Sequence, residues 1–385
     1  MTWQERTPMS EKVRFIADLL NGGESFAALC RRYGISRQCG YKWKARFEKG
    51  GEAALVARST APRIHPNETP DEVVEALLEL RREHPSWGPR KITVVLESRS
   101  PELAVPCAST VGDILKRNGL VVPRRRRPRP PRYNEGLTVG SHPNDVWCAD
   151  YKGQFPVRNG RICWPLTVSD LHSRFLLRCQ ALTTSRQRQA HPIFVSAFRE
   201  FGLPNVIRTD NGVPFSSRAP GGLSLLSISW IKLGIHPERI EPGRPDQNGT
   251  HERMHRTMGE AIKPPEPTIT AQQRRFAKFR KEFNEERPHE ALAMATPAQV
   301  YEPSPRPYPT RPNDPMYESD QIVRRVVAGR AMVFGKGVYC GRTLTDETVA
   351  FRQVDESQYE VRFYSHLLGH IDLRRAEPGR LIRPV

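Results

Sequence analysis

The chain has 385 residues and a formal net charge of +18 at pH 7, a length that allows two or three domains and at least one sizeable buried core. The positive excess favours a polyanionic partner, most commonly nucleic acid, with a merely solvated basic surface as the plain alternative. Seven cysteines (30, 39, 107, 148, 163, 179 and 340) form no C-x-x-C pair and leave an odd count, which excludes a disulfide framework or zinc ribbon and suits a reducing cytoplasm.

The N-terminal MTWQERTPMSEKV lacks the apolar centre of a signal peptide, and no apolar run approaches the roughly 20 residues that span a bilayer. A cytoplasmic, nucleoid-associated protein without membrane contact is expected. Residues 8–60 read as three short helices. Ser10 is the expected cap of the first, which carries Val13, Phe15, Ile16, Leu19 and Leu20 on one face and stops at Asn21-Gly22-Gly23. Ser25 caps SFAALCRRYG, Gly34 makes the turn, and Ser36 caps RQCGYKWKARF. This is the pattern of a helix-turn-helix, with small residues where helices cross. Its third helix presents Arg37, Gln38, Tyr41, Lys42 and Lys44, side chains suited to phosphates and base edges in a major groove. A protein-docking trihelical module is the blander reading, which the basic face disfavours.

A Pro-containing linker over 60–70 leads to a second helical DNA-binding domain, 67–120. Its helices are DEVVEALLELRREHP, one opening at Trp87-Gly88-Pro89-Arg90-Lys91-Ile92, and STVGDILKRNG capped by Ser109. Arg90 and Lys91 are its candidate DNA contacts. One helical domain with a single DNA face would produce the same pattern. The linker 121–140 contains VVPRRRRPRPPR, where proline keeps the chain extended and Arg124, Arg125, Arg126 and Arg127 form a dense positive strip for a phosphate backbone.

From 141 to 301 the pattern becomes mixed α/β. DVWCADYKGQFPV, RICWPLTVSDL and SRFLLRCQAL read as three consecutive strands, followed by a helix, the strand NVIRTD, a helix near 222–233, a strand near 235–241 and a long helix from about 249. Beyond a Pro-rich stretch, residues 315–385 show short β-type runs that suggest a small barrel of roughly five strands.

Metal-assisted phosphodiester chemistry needs carboxylates converging from separate elements, because crowding them is costly without a cation. Asp150 lies within the apolar WCADYKG. Asp210 ends the strand Val206-Ile207, where α/β sheets place ligand-binding groups. Glu252 falls in the first turn of the helix after GRPDQNG. The segments WCADY, RTDNGxxF and GRPDQNGTHERMHRTM, with FNEERPHEAL…TPAQVY at 283–301, resemble the DDE integrase-core transposases of bacterial insertion sequences, relatives of retroviral integrase. The likeness is dense over 145–301 and extends to the N-terminal modules. It implies an RNase H-like catalytic core, with Asp150, Asp210 and Glu252 as the catalytic and metal-binding acids. Asp246 competes for the third place, since in many relatives the second-to-third spacing is close to that between Asp210 and Asp246. Glu252 is preferred because it follows Gly249 by three residues and begins a helix, as the family glutamate does. The surplus length is then an insertion within 216–230.

The resemblance further implies two Mg²⁺ ions per site with Mn²⁺ as a substitute, binding to terminal inverted repeats and target DNA, cleavage that exposes 3′-hydroxyls, joining of those ends to the target, and a homo-oligomer on DNA. His251-Glu252-Arg253-Met254-His255 also matches the H-E-x-x-H zinc-peptidase signature. An internal arginine, a preceding loop and the lack of a third ligand count against it. His251, Arg253, His255 and Arg256 are instead expected along the DNA side of that helix. A non-catalytic DNA-binding regulator is the other alternative. Asp170 reads as a structural cap of the turn through Ser173. No P-loop is present, so ATP dependence is not expected, and an accessory ATPase stays undetermined.

Overall fold

The computed structural model describes residues 7–56, 68–121, 136–217, 219–312 and 314–374. Two compact units divide the chain, Met1–Glu68 and Thr69–Val385. The strip Arg124 to Arg127 lies outside the described residues. Among those described, no helix is long and apolar enough to cross a membrane.

The first unit contains α1 (Pro8–Asn21), α2 (Phe26–Arg32) and α3 (Arg37–Gly50). Its first cap differs from expectation. Thr7 is the capping residue, and its hydroxyl accepts from the Ser10 amide at 3.1 Å. Ser10 returns the bond to the Thr7 amide at 2.9 Å, closing a reciprocal box around Pro8, whose missing N–H costs nothing in the first turn. Ser25 and Ser36 cap α2 and α3 as expected, accepting from Ala28 N at 3.3 Å and Cys39 N at 3.2 Å. The core gathers Phe15, Ile16, Leu29, Cys30 and Leu55. Gly40 is where α3 closes on its neighbours, since a Cβ there would lie 2.7 Å from Cys30 Sγ.

The second unit begins with α4 (Asp71–Glu83), α5 (Pro89–Arg99) and α6 (Ala108–Arg117), packed around Leu77, Trp87, Ile92, Val111 and Leu115. α6 starts before Ser109, at the residue after Cys107, which occupies the cap position without a side-chain bond to the helix backbone. Trp87 stacks on His84 at 3.7 Å.

The mixed sheet follows: β1 (Val146–Tyr151), β2 (Phe155–Pro156), β3 (Ile162–Asp170), β4 (Leu176–Leu182), α7 (Gln187–Phe201), β5 (Val206–Thr209), α8 (Leu225–Lys232), β6 (His236–Arg239), α9 (Gly249–Ile262), α10 (Ile269–Lys281) and α11 (Pro297–Val300). β3 pairs antiparallel with β4 and with β1, β1 runs parallel to β5, and β5 runs parallel to β6, with β2 added beside the start of β3. This is the RNase H-like order expected. Alternation along the strands gives the sheet two faces. Trp147, Ala149, Leu166 and Val168 pack on Phe194 and Phe198 of α7 and Trp230 of α8. Cys163 and Cys179 pack on Met254 and Met258 of α9 and Phe276 of α10. The expected long helix from 249 is two helices, interrupted at Lys263-Pro264-Pro265. Asp170 is structural as anticipated: it accepts from Ser173 N and Oγ, each at 2.7 Å, and from Asn144 N at 2.7 Å.

The α4–α6 bundle sits on the segment after α10. His84 Nδ1 lies 3.0 Å from Glu282 Oε1, Arg287 donates to Ser86 Oγ at 3.2 Å, and the Lys91 ammonium donates to the Pro288 carbonyl.

The C-terminal region contains β7 (Ile322–Val327), β8 (Arg330–Val333), β9 (Lys336–Tyr339), β10 (Thr348–Gln353), β11 (Gln358–Phe363) and β12 (His366–Asp372). The expectation of a barrel of about five strands is corrected here. Six antiparallel strands run in the order β12-β11-β10-β7-β8-β9, a curled sheet whose edge strands form no ladder with each other among the described residues. The reason lies in its contents. Leu223, Ile228 and Ile231, from α8 and the segment before it, enter the same apolar core as Val338, Phe351 and Leu368, so a helix from the mixed-sheet layer covers what closure would have covered. The segment from Leu223 to Ile231 is therefore a seat for this sheet. Gly222 (φ +68°) permits it, since a Cβ there would lie 2.0 Å from the Arg239 guanidinium.

Candidate active site

β1 and β5 are parallel neighbours in the register Ala149↔Thr209. The next residue on each strand is an aspartate, so Asp150 and Asp210 leave the sheet side by side at its carboxyl edge. Asp150 Oδ1 accepts from Tyr151 N at 2.7 Å, and Asp210 Oδ1 accepts from Gly212 N at 3.0 Å. Burial pushes the Asp150 carboxyl up to about 7, the nearby Asp210 charge adds to this, and Glu252 contributes further. The three acids, remote in sequence, thus feel one another through space. Their repulsion falls on the most enclosed of the three.

Glu252 owes its position to its helical neighbours. His251, Met254, His255 and Met258 turn inward from α9, leaving Glu252, Arg253 and Arg256 on the exposed side. Asp150, Tyr151, Lys152, Gly153, Glu252, His255 and Arg256 line an open cleft of about 470 Å³. An all-oxygen set of crowded carboxylates on an open, water-accessible cleft matches the preference of a hard divalent cation. The side chain of Asp246 lies outside the described residues.

The expectation that His251 and His255 flank DNA is corrected. They are 1% and 6% exposed and face β3 rather than solvent. Residues four apart share one helix face, and β3 meets them with hydroxyls. Thr167 Oγ1 lies 2.7 Å from Nε2 of both rings, and Ser169 Oγ lies 2.9 Å from His251 Nδ1. Burial drives both imidazoles to the neutral form, with His255 pushed down to about 3. Both Nε2 atoms of the H-E-x-x-H motif are therefore taken up by one threonine. Sequence reasoning missed Thr167, Ser169 and Lys152. The available signal was Thr167-Val168-Ser169, which puts hydroxyls at alternate positions of an otherwise apolar strand.

The candidate DNA contacts separate into groups. Arg37, Gln38, Tyr41, Lys42 and Lys44 are all exposed on α3. Arg253 and Arg256 flank Glu252, with Arg253 Nε donating to Gly249 O at 3.1 Å. Arg90 is exposed and lies 3.5 Å from Glu290. Lys91 is revised: its ammonium is held by Pro288 O, and burial lowers it to about 8, which removes it from the phosphate-facing set.

Comparisons with known proteins find related domains along the chain. An integrase core domain matches residues 140–245 and a second integrase core domain matches 233–297. A helix-turn-helix domain matches 11–63 and a homeodomain-like domain matches 39–115. The chain is similar to the "Insertion element IS476 uncharacterized 39.2 kDa protein" of Xanthomonas euvesicatoria, 30% identical over 234 residues, which are 58% of this chain and 62% of that protein. It is similar also to the "Insertion element IS407 uncharacterized 31.7 kDa protein" of Burkholderia multivorans, 28% identical over 248 residues, 61% of this chain and 84% of that one. Among solved structures, the HTLV-2 integrase catalytic core domain in complex with magnesium (trimeric form) covers 43% of this chain and 100% of its own, at 16% identity and a TM-score of 0.34.

Proposed function

The chain carries an integrase core domain behind helix-turn-helix domains, and from that premise we propose that it is a cytoplasmic DNA transposase. It binds the inverted repeats at the ends of its element, cleaves to expose 3′-hydroxyls and joins them to target DNA. The observation that carries this reading is the register of β1 and β5, which sets Asp150 beside Asp210, with Glu252 on the same cleft wall as Asp150; burial raises the Asp150 pKa and the two neighbouring acids add to it.

Asp150, Asp210 and Glu252 would together hold two Mg²⁺ ions, with Mn²⁺ able to substitute. When bound, such ions supply the charge that activates the attacking oxygen and steadies the leaving 3′-oxygen. The protein's own side chains do the rest. Lys152 and Arg256, on the cleft wall, hold the phosphodiester against the carboxylates. Arg253 extends the positive rim, Arg90 and the arginine strip at 124–127 track the backbone, and α3 supplies Arg37, Gln38, Tyr41, Lys42 and Lys44 to the groove. Two element ends must meet for joining, so the working form is a homo-oligomer on DNA.

The test is a joining assay with Mg²⁺ on duplexes carrying the repeats that flank the gene. Asp150→Asn, Asp210→Asn and Glu252→Gln are each expected to lower joining at least about 10³-fold, about 4 kcal/mol of barrier, with end binding within a few-fold of the parent. Joining that survives Glu252→Gln transfers the third role to Asp246. Binding without joining by the unaltered protein would leave a regulator and refute the enzyme.

A further inference from the structure

Thr167 Oγ1 has three polar partners: the Asp150 carbonyl at 3.1 Å and the Nε2 atoms of His251 and His255 at 2.7 Å each. A hydroxyl donates once and accepts twice. All three contacts are satisfied when Thr167 donates to the Asp150 carbonyl and both imidazoles carry their proton on Nε2. Ser169 Oγ then donates to His251 Nδ1 across 2.9 Å, which occupies both nitrogens of that ring. Among the described residues no hydrogen bond reaches Nδ1 of His255, which keeps its lone pair. That atom lies 3.7 Å from Asp150 Oδ2, too far for a hydrogen bond between them, and its ring lines the cleft beside Glu252.

Two atoms each about 2.1 Å from one ion lie about 3.0 Å apart at a right angle and about 4.2 Å apart when opposed, so the observed separation falls within what a single ion bridges. The opposite ring nitrogen is held by a hydroxyl anchored to the backbone of that same aspartate, the orienting hydrogen bond that a ligating histidine characteristically has. We propose that Nδ1 of His255 is a nitrogen ligand to the cation held by Asp150, making one of the two positions a mixed nitrogen–oxygen site that prefers Mn²⁺ and other first-row transition ions over Mg²⁺. This rests on the reading of the cleft as a metal-dependent joining centre. Imidazole strengthens binding of transition ions far more than of Mg²⁺, so the selectivity follows from the donor set.

The experiment is pulsed electron paramagnetic resonance on the full chain loaded with Mn²⁺, without DNA. Protein with natural-abundance histidine is expected to show nitrogen-14 coupling to the metal, replaced by nitrogen-15 coupling when histidine alone is labelled. That comparison requires no variant and stands even if a substituted protein misfolds. In His255→Gln the coupling should vanish and Mn²⁺ should bind at least about tenfold more weakly, with a smaller change for Mg²⁺. Mn²⁺ that binds in an Asp150-dependent manner without nitrogen coupling overturns the ligand assignment and leaves the joining centre standing. Coupling that persists in His255→Gln also overturns it, in favour of His251. Failure to bind Mn²⁺, or binding indifferent to Asp150→Asn, overturns both readings.

Discussion

Among the described residues, charge gathers on α3 and around the cleft, and the two places obey opposite rules. On α3 of the first unit, Arg37, Lys42 and Lys44 stand apart on a solvent-facing surface, while the packing is done by Phe15, Ile16 and Leu29 beneath. At the edge of the mixed sheet, Asp150 and Asp210 are set side by side by a parallel strand pair, Glu252 reaches the cleft beside Asp150 from α9, and burial raises the pKa of the enclosed Asp150. Solvent lets like charges coexist at little cost, whereas partial burial makes them wait for a counter-ion. The first arrangement suits a diffuse polyanion and the second a compact cation. The lesson is that exposure, more than the number of charges, decides which kind of partner a cluster is built for.

The largest effect expected from this contrast is on stability against pH. The Asp150 carboxyl has an ordinary value of 3.8 and a folded value of about 7, so the metal-free fold holds a proton that the unfolded chain releases. Stability from this group is greatest at low pH, declines as pH rises from about 4, and is lost above about 7. In chelator, melting of the second unit should therefore fall between pH 5 and 8. Asp150→Asn should flatten that decline and be the more stable protein at pH 8, at the cost of joining. Added Mg²⁺ should raise the parent's melting temperature more at pH 8 than at pH 5, because deprotonated ligands bind best. An equal rise at both pH values, or an unchanged profile in Asp150→Asn, would break the contrast.

How far sequence alone reached follows the same line. Asp150 and Asp210 stood out in the sequence through the resemblance that WCADY and RTDNGxxF carry together, and what the register of β1 and β5 adds is that the two lie on neighbouring strands. The positions of Thr167 and Ser169 were not legible, since a buried hydroxyl in a strand has no meaning until its partner is known, and that partner is 84 residues away for Thr167 and His251. The same holds for Lys91, which reads as surface charge until the 282–290 segment is folded against it. Thr7 displaced Ser10 as a cap because both are good caps, and reciprocity between them, rather than residue type, chose the outer one. The sixth C-terminal strand, HLLGHID, went unread because its Gly369 and a register shift against β11 break the alternation. Local signals mark what a residue can do. Long-range packing selects among those uses.

On the exposed side of the contrast, charges should be removable without structural consequence. Arg37→Gln with Lys42→Gln is expected to weaken binding to duplexes of any sequence and to reduce the slope of log affinity against log salt by about 2, near 0.9 per lost phosphate contact. The melting temperature of the first unit should stay within about a degree, as surface substitutions usually allow. Lys91→Met, by contrast, should leave the salt slope unchanged. Anisotropy titrations of a labelled duplex across a range of salt read both, and a loss of slope in Lys91→Met would return that residue to the DNA surface.

The smallest expected effect separates charge from scaffold within α3 itself. Ser36 accepts from Cys39 N at 3.2 Å and carries no charge, so Ser36→Ala removes a cap and nothing electrostatic. The loss should be about 1 kcal/mol, a shift of several degrees in a unit this small, and should appear in the melting of the first compact unit. At 25 °C, well below that transition, the salt slope should be unaltered. A reduced slope in Ser36→Ala would mean that the α3 face presents its charges only when the helix start is pinned, and the first unit would then depend on local order in the way the carboxylate cleft does.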